Sequence, residues 1–495
     1  MTDRPNILLI VTDHFRADLL HGALADSVPL PNLNALAAQS TLLRRHYSVV
    51  TPCGPSRVSL LTGQYAMNHR AVRNGTPLRH DTPNLARGLR TAGYDPLLFG
   101  YTDVAQDPRV LPAEDPRLQS YEEVLPGFTE VVRMRQDSDD LVWRDHLRAR
   151  GYAVPDGNAL YRPTGDRICD PALYRAEDSD TAFLTDRFLA HMEGVDAGFF
   201  AMLAYIRPHP PFVAPAPWNR LVDPASVPSA RASLDHEPHP FVAAQHETKS
   251  AADTVVGFPD LRATPQTVQT LRAVFLGLCA EIDHHVGRVM DWLKASGHWE
   301  NTLVIFTADH GEMLGDYGLW GKGTFQDAAF HVPLVIHVPG IAPRVTDAMT
   351  ESIDLAPTIL DWAGCKVPHT MNGESLLPLL RSGQGGRATT FSEHDFGNPI
   401  TPTRLQAKLG LSVSEANLAV LRTDTHRLVH FAGRLPQIAY DMKHGGEAHD
   451  IASSAQGQRI CLDLSREMLC HRMTHPEGMF SRTMVGEGGV RVAPD

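Results

Sequence analysis

Short, continuous apolar segments alternate with helical segments along this 495-residue chain. This alternation predicts an α/β fold with a large, mostly parallel sheet flanked by helices. The apolar segments do not alternate with polar residues, which is typical of strands buried on both faces. Beyond residue 385 the pattern changes to short antiparallel strands and one helix. We therefore expect a main α/β domain over 1–385 and a smaller C-terminal α+β subdomain over 386–495.

The main sheet is predicted from short runs that are rich in β-branched and other apolar residues. These runs are Ile7–Val11, Pro96–Gly100, Gly198–Tyr205, Thr302–Thr307 and Val332–Val338. Helical periodicity predicts helices over Asn32–Gln39, Leu85–Ala92, Thr181–Met192 and Thr267–Ala295. Residues 214–262 are rich in Pro, Ala, Ser and His with little periodicity, so we expect an irregular excursion over the core there.

The C-terminal part follows a plausible linker, Arg381–Arg387. Antiparallel strands are expected over Ala416–Arg422, Arg427–Phe431 and Gln437–Met442, and a helix over 454–474. The last twenty residues, with several glycines, indicate an extended arm. Such an arm could pack on a neighbouring subunit or fray.

Composition is that of an ordinary soluble globular protein, with 43% apolar and 21% charged residues. The net charge of −12 does not suggest a nucleic-acid or membrane partner. Residues 1–11 lack the basic start and the cleavage site of a secretory signal, so we expect a cytoplasmic protein. Six scattered cysteines favour reduced thiols over a disulfide framework.

The segment from Cys53 to Gly63 is the most informative part of the chain. Pro55 suits the first turn of a short helix and Gly63 suits its end. Cys53 then lies at the helix start, beside free N–H groups and the positive end of the helix dipole. That position favours an anion and a nucleophile, although a cysteine before a helix can also be a plain buried residue.

Polar residues follow several predicted strands: Asp13, Tyr101, His209 and Asp309. Because functional residues gather at the carboxyl ends of parallel strands, these four predict a single site. Asp13 and the Asp309-His310 pair are metal-ligand candidates, offering two carboxylates and one imidazole. An aspartate at a strand end can equally be a turn residue or a helix cap.

The run C-x-P-S-R-x-x-L-L-T-G from Cys53 to Gly63 resembles the signature of the type I sulfatases, which belong to the alkaline phosphatase superfamily. Asn301–Gly315 resembles the second conserved block of that superfamily. The resemblance implies an alkaline-phosphatase-like fold and oxidation of Cys53 to formylglycine. A formylglycine-generating enzyme is then implied as a transient partner, and the hydrated aldehyde as the nucleophile.

The same resemblance implies that one divalent cation is bound by Asp13, Cys53, Asp309 and His310. Many sulfatases have a second aspartate and an asparagine where this chain has His14 and His310. Imidazole ligands move such a site away from calcium and toward manganese, iron or zinc. We favour Mn²⁺, with Ca²⁺ and Zn²⁺ as alternatives. His14 could be a further ligand, orient a neighbour or contact the substrate.

The Asp-His pair resembles the branch that contains phosphonate monoester hydrolases and their arylsulfatase relatives, and the likeness extends along most of the chain. It implies that Asn74, Tyr101, His209 and Lys322 face the substrate. Asn74, Tyr101 and Lys322 also have structural interpretations, as a turn, a core and a surface residue. His209 is less easily explained in this way, because flanking prolines hold it in a stiff extended loop. At Asp103 the branch would have an uncharged residue, so this carboxyl could repel doubly charged groups or position a basic partner.

By this resemblance, an oxygen on residue 53 attacks sulfur or phosphorus in line. Arg57 and Lys322 would hold the negative oxygens. The sequence does not decide whether His209 or Lys322 assists the leaving alcohol.

Our first functional hypothesis is an arylsulfatase, a metal- and formylglycine-dependent hydrolase of sulfate monoesters. A phosphonate monoester hydrolase or phosphodiesterase is the alternative, since these small anionic esters share a tetrahedral, singly charged centre. A non-catalytic anion-binding relative is a third hypothesis. A phosphomutase is disfavoured because it would need serine or threonine at position 53. The resemblance also implies a homo-oligomer, either a dimer or a tetramer.

Overall fold

The computed structural model describes residues 4–135, 140–487 and 489–493. The strands are, in chain order, β1 (Asn6–Thr12), β2 (Thr41–Tyr47), β3 (Val50–Thr51), β4 (Pro96–Gly100), β5 (Thr129–Arg133), β6 (Phe200–Tyr205), β7 (Thr302–Ala308), β8 (Leu334–His337), β9 (Arg344–Glu351), β10 (Thr390–Asp395), β11 (Asn417–Arg422), β12 (His426–Phe431), β13 (Ile438–Asp441), β14 (Thr483–Gly486) and β15 (Gly489–Val492).

The α-helices are α1 (Asp18–His21), α2 (Pro31–Ala38), α3 (Cys53–Thr62), α4 (Ala66–His69), α5 (Leu85–Thr91), α6 (Leu141–Ala149), α7 (Asp180–Met192), α8 (Pro240–Thr248), α9 (Pro265–Ala295), α10 (Asp327–Phe330), α11 (Leu355–Trp362), α12 (Leu377–Ser382), α13 (Arg404–Leu409) and α14 (Ala455–Thr474). Among the residues described, no helix combines the length and the apolarity needed to cross a membrane.

An eight-stranded sheet in the order β5-β4-β6-β1-β7-β8-β2-β9 forms the centre of the molecule. All seven residues of β1 and of β7 are buried, as their continuous apolar sequences predicted. Helices α2 and α7 each contact α9, and α3, α5 and α11 form a second group. The predicted α/β fold with a large, mostly parallel sheet is confirmed.

One strand of this sheet runs against the others. The segment predicted as Val332–Val338 is a strand only over its central four residues, β8, which pairs antiparallel with both β7 and β2. The other neighbouring strands of the sheet pair in parallel. The reversal is possible because β8 follows β7 through residues 309–333, a mostly buried segment that does not need a crossover helix.

A second, five-stranded sheet has the order β13-β12-β11-β10-β3. Strands β10 to β13 pair antiparallel, and α14 packs against β12 and β13, as predicted for the C-terminal part. Strand β3 comes from the beginning of the chain and pairs in parallel with β10. The second sheet is therefore built from residues far apart in the sequence.

Two predicted segments differ from the structure. The excursion over 214–262 contains a nine-residue helix, α8, whose start at Pro240 is capped by the His239 ring. Its apolar residues do not follow a clear helical period, so the pattern did not indicate it. The expected extended arm folds back on itself as the β14–β15 hairpin, whose apolar side chains are exposed.

Gly100, the last residue of β4, has φ +107° and lies against the next strand: a Cβ atom there would be 2.3 Å from the carbonyl oxygen of Ala204. Gly100→Ala is expected to lower the free energy of unfolding by about 2–6 kcal/mol, from backbone strain and overpacking together. Gly340→Ala is the control, since Gly340 has φ +77° with no atom within 4 Å and tests strain alone.

Urea unfolding of the two variants measures the difference. Equal losses of stability would show that the close approach of β4 to β6 is not tightly constrained.

Candidate active site

The polar residues at the strand ends converge on one buried point. β1 is central in the order β4-β6-β1-β7, and Asp13 and Asp309 directly follow β1 and β7. Tyr101 directly follows β4, and His209 lies on the loop after β6. Because neighbouring parallel strands end at the same sheet edge, these side chains meet there.

Helix α3 brings Cys53 to the same point. Its ten residues are all buried, Pro55 lies in its first turn, and it ends at Gly63 with φ +64°, as the sequence predicted. The N–H of Gly54 donates to the side-chain oxygen of Asn74 at 3.0 Å. Cys53 thus lies at the N-terminus of a rigidly held helix.

Four side chains form a compact group of candidate metal ligands. One ligand atom from each of Asp13, Cys53, Asp309 and His310 lies within 4.8 Å of all the others. Nε2 of His310 is 3.3 Å from Sγ of Cys53 and 3.6 Å from Oδ1 of Asp13. Nδ1 of His310 donates to the carbonyl oxygen of Gly311 at 3.0 Å, which leaves the lone pair of Nε2 facing the group.

This group fits a divalent cation. Carboxylate oxygens suit Mg²⁺, Ca²⁺ and Mn²⁺, and an added imidazole suits Mn²⁺ or Zn²⁺. Burial and the neighbouring Asp13 charge raise the pKa of Asp309 to about 7, which shows how unfavourable two bare carboxylates are here. A cation between them would offset that cost. The identity of the ion stays a prediction.

Arg57 clamps the two carboxylates from the side of α3. Its Nε donates to Asp309 Oδ2 at 3.0 Å, and its Nη2 lies 3.5 Å from Asp13 Oδ2. Nη2 also donates to the hydroxyl of Tyr101 at 2.8 Å, and that hydroxyl donates to Asp13. Arg57 and Tyr101 are both buried, so they hold the acidic pair in place.

Lys322 uses its three ammonium hydrogens on three partners. Its Nζ lies 2.8 Å from Nε2 of His14, 3.0 Å from Sγ of Cys53 and 3.2 Å from Nε2 of His209. Burial alone would lower the pKa of Lys322, but Cys53 and Asp13 raise it above its ordinary value. Lys322 is therefore a fixed positive charge directed at residue 53.

Both histidines beside Lys322 are held neutral. Nδ1 of His14 can only donate to the Glu312 carboxylate, at 2.7 Å, and Nδ1 of His209 can only donate to the carbonyl oxygen of Pro210, at 2.5 Å. Each Nε2 is then an acceptor for Lys322. Burial and the Lys322 charge lower the pKa of His209 to about 3.

Glu312 is a residue that the sequence patterns did not single out. It is completely buried, and besides His14 its carboxylate accepts from the backbone N–H groups of Gly321 and Leu314. It therefore fixes both the His14 ring and the loop that carries Lys322. Its place three residues after Asp309, inside the block Asn301–Gly315, is the signal that could have indicated it.

Asp103 lies behind the start of α3, with its carbonyl oxygen close to the Cα of Gly54. It has φ +57°, and its buried Oδ1 has no hydrogen-bond partner among the described residues. Burial raises the pKa of its carboxyl well above the ordinary value. The carboxyl therefore favours the neutral form and resembles the uncharged residue that we expected there.

A cavity of about 440 Å³ opens from Lys322 and Asn74 toward solvent. The end of α8, the loop after β10 and the start of α13 contribute its walls. The sequence did not predict this cavity, because its walls come from segments far apart in the chain.

Two family models match the sequence. The model described as Sulfatase matches residues 5–365. The model described as N-sulphoglucosamine sulphohydrolase, C-terminal, matches residues 315–474.

Individual proteins match over nearly the whole chain. The solved structure of a phosphonate monoester hydrolase from Silicibacter pomeroyi is 49% identical and has a TM-score of 0.95, with 99% of each chain covered. The multifunctional alkaline phosphatase superfamily protein PehA from Trinickia caryophylli is 34% identical over 96% of each chain. A choline-sulfatase from Rhizobium meliloti is 27% identical over 77% of this chain and 72% of its own.

Removing one carboxylate is expected to weaken metal binding. Asp309→Asn should lower the affinity for Mn²⁺ by at least the 10–100-fold that loss of an outer-shell partner typically costs, because a direct carboxylate ligand and its charge are lost. Metal analysis after dialysis against dilute Mn²⁺ measures this. Asp347→Asn, at an exposed carboxylate paired with Arg44, is the matched control. Equal metal content in both variants would exclude Asp309 as a ligand.

Proposed function

Because the chain belongs to the sulfatase family of the alkaline phosphatase superfamily, we propose that this hydrolase cleaves phosphonate monoesters, with phosphodiesters as related substrates. The observation that carries the proposal is the 49% identity to a phosphonate monoester hydrolase over 99% of both chains. The chemistry of the site agrees with it: two carboxylates and an imidazole face a fixed lysine at a helix N-terminus.

Sulfate monoesters are the second candidate substrates. The Sulfatase family model and the choline-sulfatase relative favour them, and an arylsulfatase was our first hypothesis from the sequence. That hypothesis depended partly on His14 and Asp103. Because His14 is neutral and the Asp103 carboxyl favours its neutral form, neither opposes a phosphonate. Both ester classes are tetrahedral and singly charged, so one site can serve both.

Asp13, Asp309, His310 and residue 53 would hold the divalent cation, for which we keep Mn²⁺ as the favoured ion. A bound divalent cation supplies Lewis acidity, which stabilises negative charge on oxygen and favours an ionised hydroxyl. Formylglycine at position 53 would supply a hydrated aldehyde, with one hydroxyl for attack and a second that allows the product to be expelled. Serine at this position could form an ester but would lack the second hydroxyl.

Lys322 is the group we assign to the leaving alcohol. Its ammonium is a proton donor, whereas Nε2 of His14 and Nε2 of His209 only accept hydrogen bonds from it. Its Nζ lies 3.0 Å from Sγ of Cys53. A fixed ammonium there stabilises charge that develops on the ester oxygens and can donate a proton to the departing one. His209 would orient the ammonium. Arg57 would contribute by holding Asp13 and Asp309.

Four further expectations from the sequence stay proposals. These are a homo-oligomeric state, a transient partnership with a formylglycine-generating enzyme, a cytoplasmic location and a domain boundary near residue 385.

Substrate preference tests the proposal directly. Phenyl methylphosphonate, an aryl sulfate and a bis-aryl phosphate with similar leaving groups should be compared by kcat/KM. We expect the phosphonate to be cleaved best, by about tenfold or more, a difference of roughly 1.4 kcal/mol in transition-state stabilisation. A higher kcat/KM for the aryl sulfate would establish the arylsulfatase hypothesis in its place.

The chemical state of residue 53 is a separate test. In protein made in a host that has the modifying enzyme, mass spectrometry of the peptide around residue 53 should find the aldehyde in place of the thiol. Cys53→Ala should lose activity by about 10³-fold or more, as when an enzyme loses its nucleophile. Activity that persists in a fully unmodified or substituted protein would exclude formylglycine as the nucleophile.

A further inference from the structure

The cavity of about 440 Å³ beside Lys322 is lined by positively charged side chains, although the chain as a whole is acidic. Arg73, Lys249 and Arg404 line it, whereas the chain as a whole carries a net charge of −12. Asp395 is the one carboxylate among the described lining residues, and its Oδ1 accepts from the N–H of Gly397. Cations therefore outnumber carboxylates in this cavity.

Among the residues that the structure describes, the side chains of Arg73, Lys249 and Arg404 form no ion pair or hydrogen bond with a carboxylate. Several other surface arginines do form such pairs, for example Arg44 with Asp347 and Arg79 with Asp81. Lys322 also lines the cavity, but its three hydrogens are already directed at His14, Cys53 and His209.

Lys249 lies close to the reacting end of the cavity. It is the residue directly after α8, and a Cβ atom at Gly321 would lie 2.1 Å from its Nζ. Its ammonium therefore sits beside the residue that precedes Lys322. Arg404, the first residue of α13, lies on the wall supplied by the C-terminal part of the chain.

Flat apolar side chains complete the walls. Trp320 and Phe396 line the cavity, and each is only 5% exposed, so their positions are fixed by packing. These rings add apolar surface to the walls, while guanidinium groups bind carboxylates in a bidentate way. The cavity thus combines apolar surface, which accepts the carbon frame of an alcohol, with a place for an anion.

We propose that this cavity holds the alcohol part of the ester and selects leaving groups that carry a second negative charge on a planar frame, such as an aryl carboxylate. Lys249, Arg404 and Arg73 are the specificity-determining residues. The inference rests on the proposed function, because the ester centre must lie at residue 53 for its alcohol part to point into the cavity.

Binding to an inert protein tests the inference without turnover. Metal-loaded Cys53→Ala protein is titrated calorimetrically with 4-carboxyphenyl methylphosphonate and with its neutral, similarly shaped analogue 4-acetylphenyl methylphosphonate. We expect the carboxylate to bind about tenfold more tightly, with the ratio falling as salt rises, since partly exposed charges each contribute modestly. Cys53→Gly, which also lacks a nucleophile, provides a second inert background if the alanine variant does not fold.

Substitutions then locate the effect. Arg404→Gln and Lys249→Gln in the inert background should each lower the ratio of the two affinities about threefold. Arg459→Gln, at an exposed arginine on α14 outside the cavity, is the matched control and should leave the ratio unchanged. Equal affinities for the two esters, or a ratio that neither cavity substitution lowers, would overturn the inference.

Failure of the proposed function gives a different result. In that case the unsubstituted, metal-loaded enzyme would hydrolyse neither phosphonate, whereas the calorimetric ratio would still decide whether the cavity selects an anionic group.

Discussion

Two carboxylates, Asp13 and Asp309, lie close together where solvent does not reach, and the surrounding structure compensates for their charge. Burying like charges costs several kcal/mol unless cations and hydrogen bonds are supplied. Arg57 supplies both from α3, Tyr101 adds a hydroxyl, and Lys322 adds a second positive charge. The sheet order fixes this arrangement, since β1 and β7 are neighbours and deliver their aspartates to the same edge.

A second layer of contacts keeps the protons in defined places. The Glu312 carboxylate and the Pro210 carbonyl each bind the Nδ1 hydrogen of a histidine, so that both rings present an acceptor to Lys322. The Lys322 ammonium then directs a hydrogen at Sγ of Cys53, while the two rings present lone pairs to the ammonium. The orientation of a single lysine thus depends on residues that never touch the ester themselves.

The sequence predicted the local segments, and it predicted the convergence of Asp13, Tyr101, His209 and Asp309 because each follows a strand end. It missed other contacts between segments that are distant in the chain. β1, β7 and the helix that begins at Cys53 were predictable, because each is a short segment whose own residues define its start and end. β2 contains Arg44, Arg45 and His46, so its apolar run is too short to indicate a buried strand. The role of Glu312 and the charge of the cavity depend on residues elsewhere in the chain, so the local sequence did not indicate either.

The pairing of β3 with β10 has a consequence for protein synthesis. Thr51, two residues before Cys53, bonds to the ring of His394, which lies 343 residues later in the chain. At about 5–20 residues per second, the ribosome needs roughly 17–70 s to produce that partner. Throughout this interval the segment just before Cys53 lacks the strand that will pair with it, so an enzyme that acts on the nascent chain has time to reach a side chain that is buried in the folded protein.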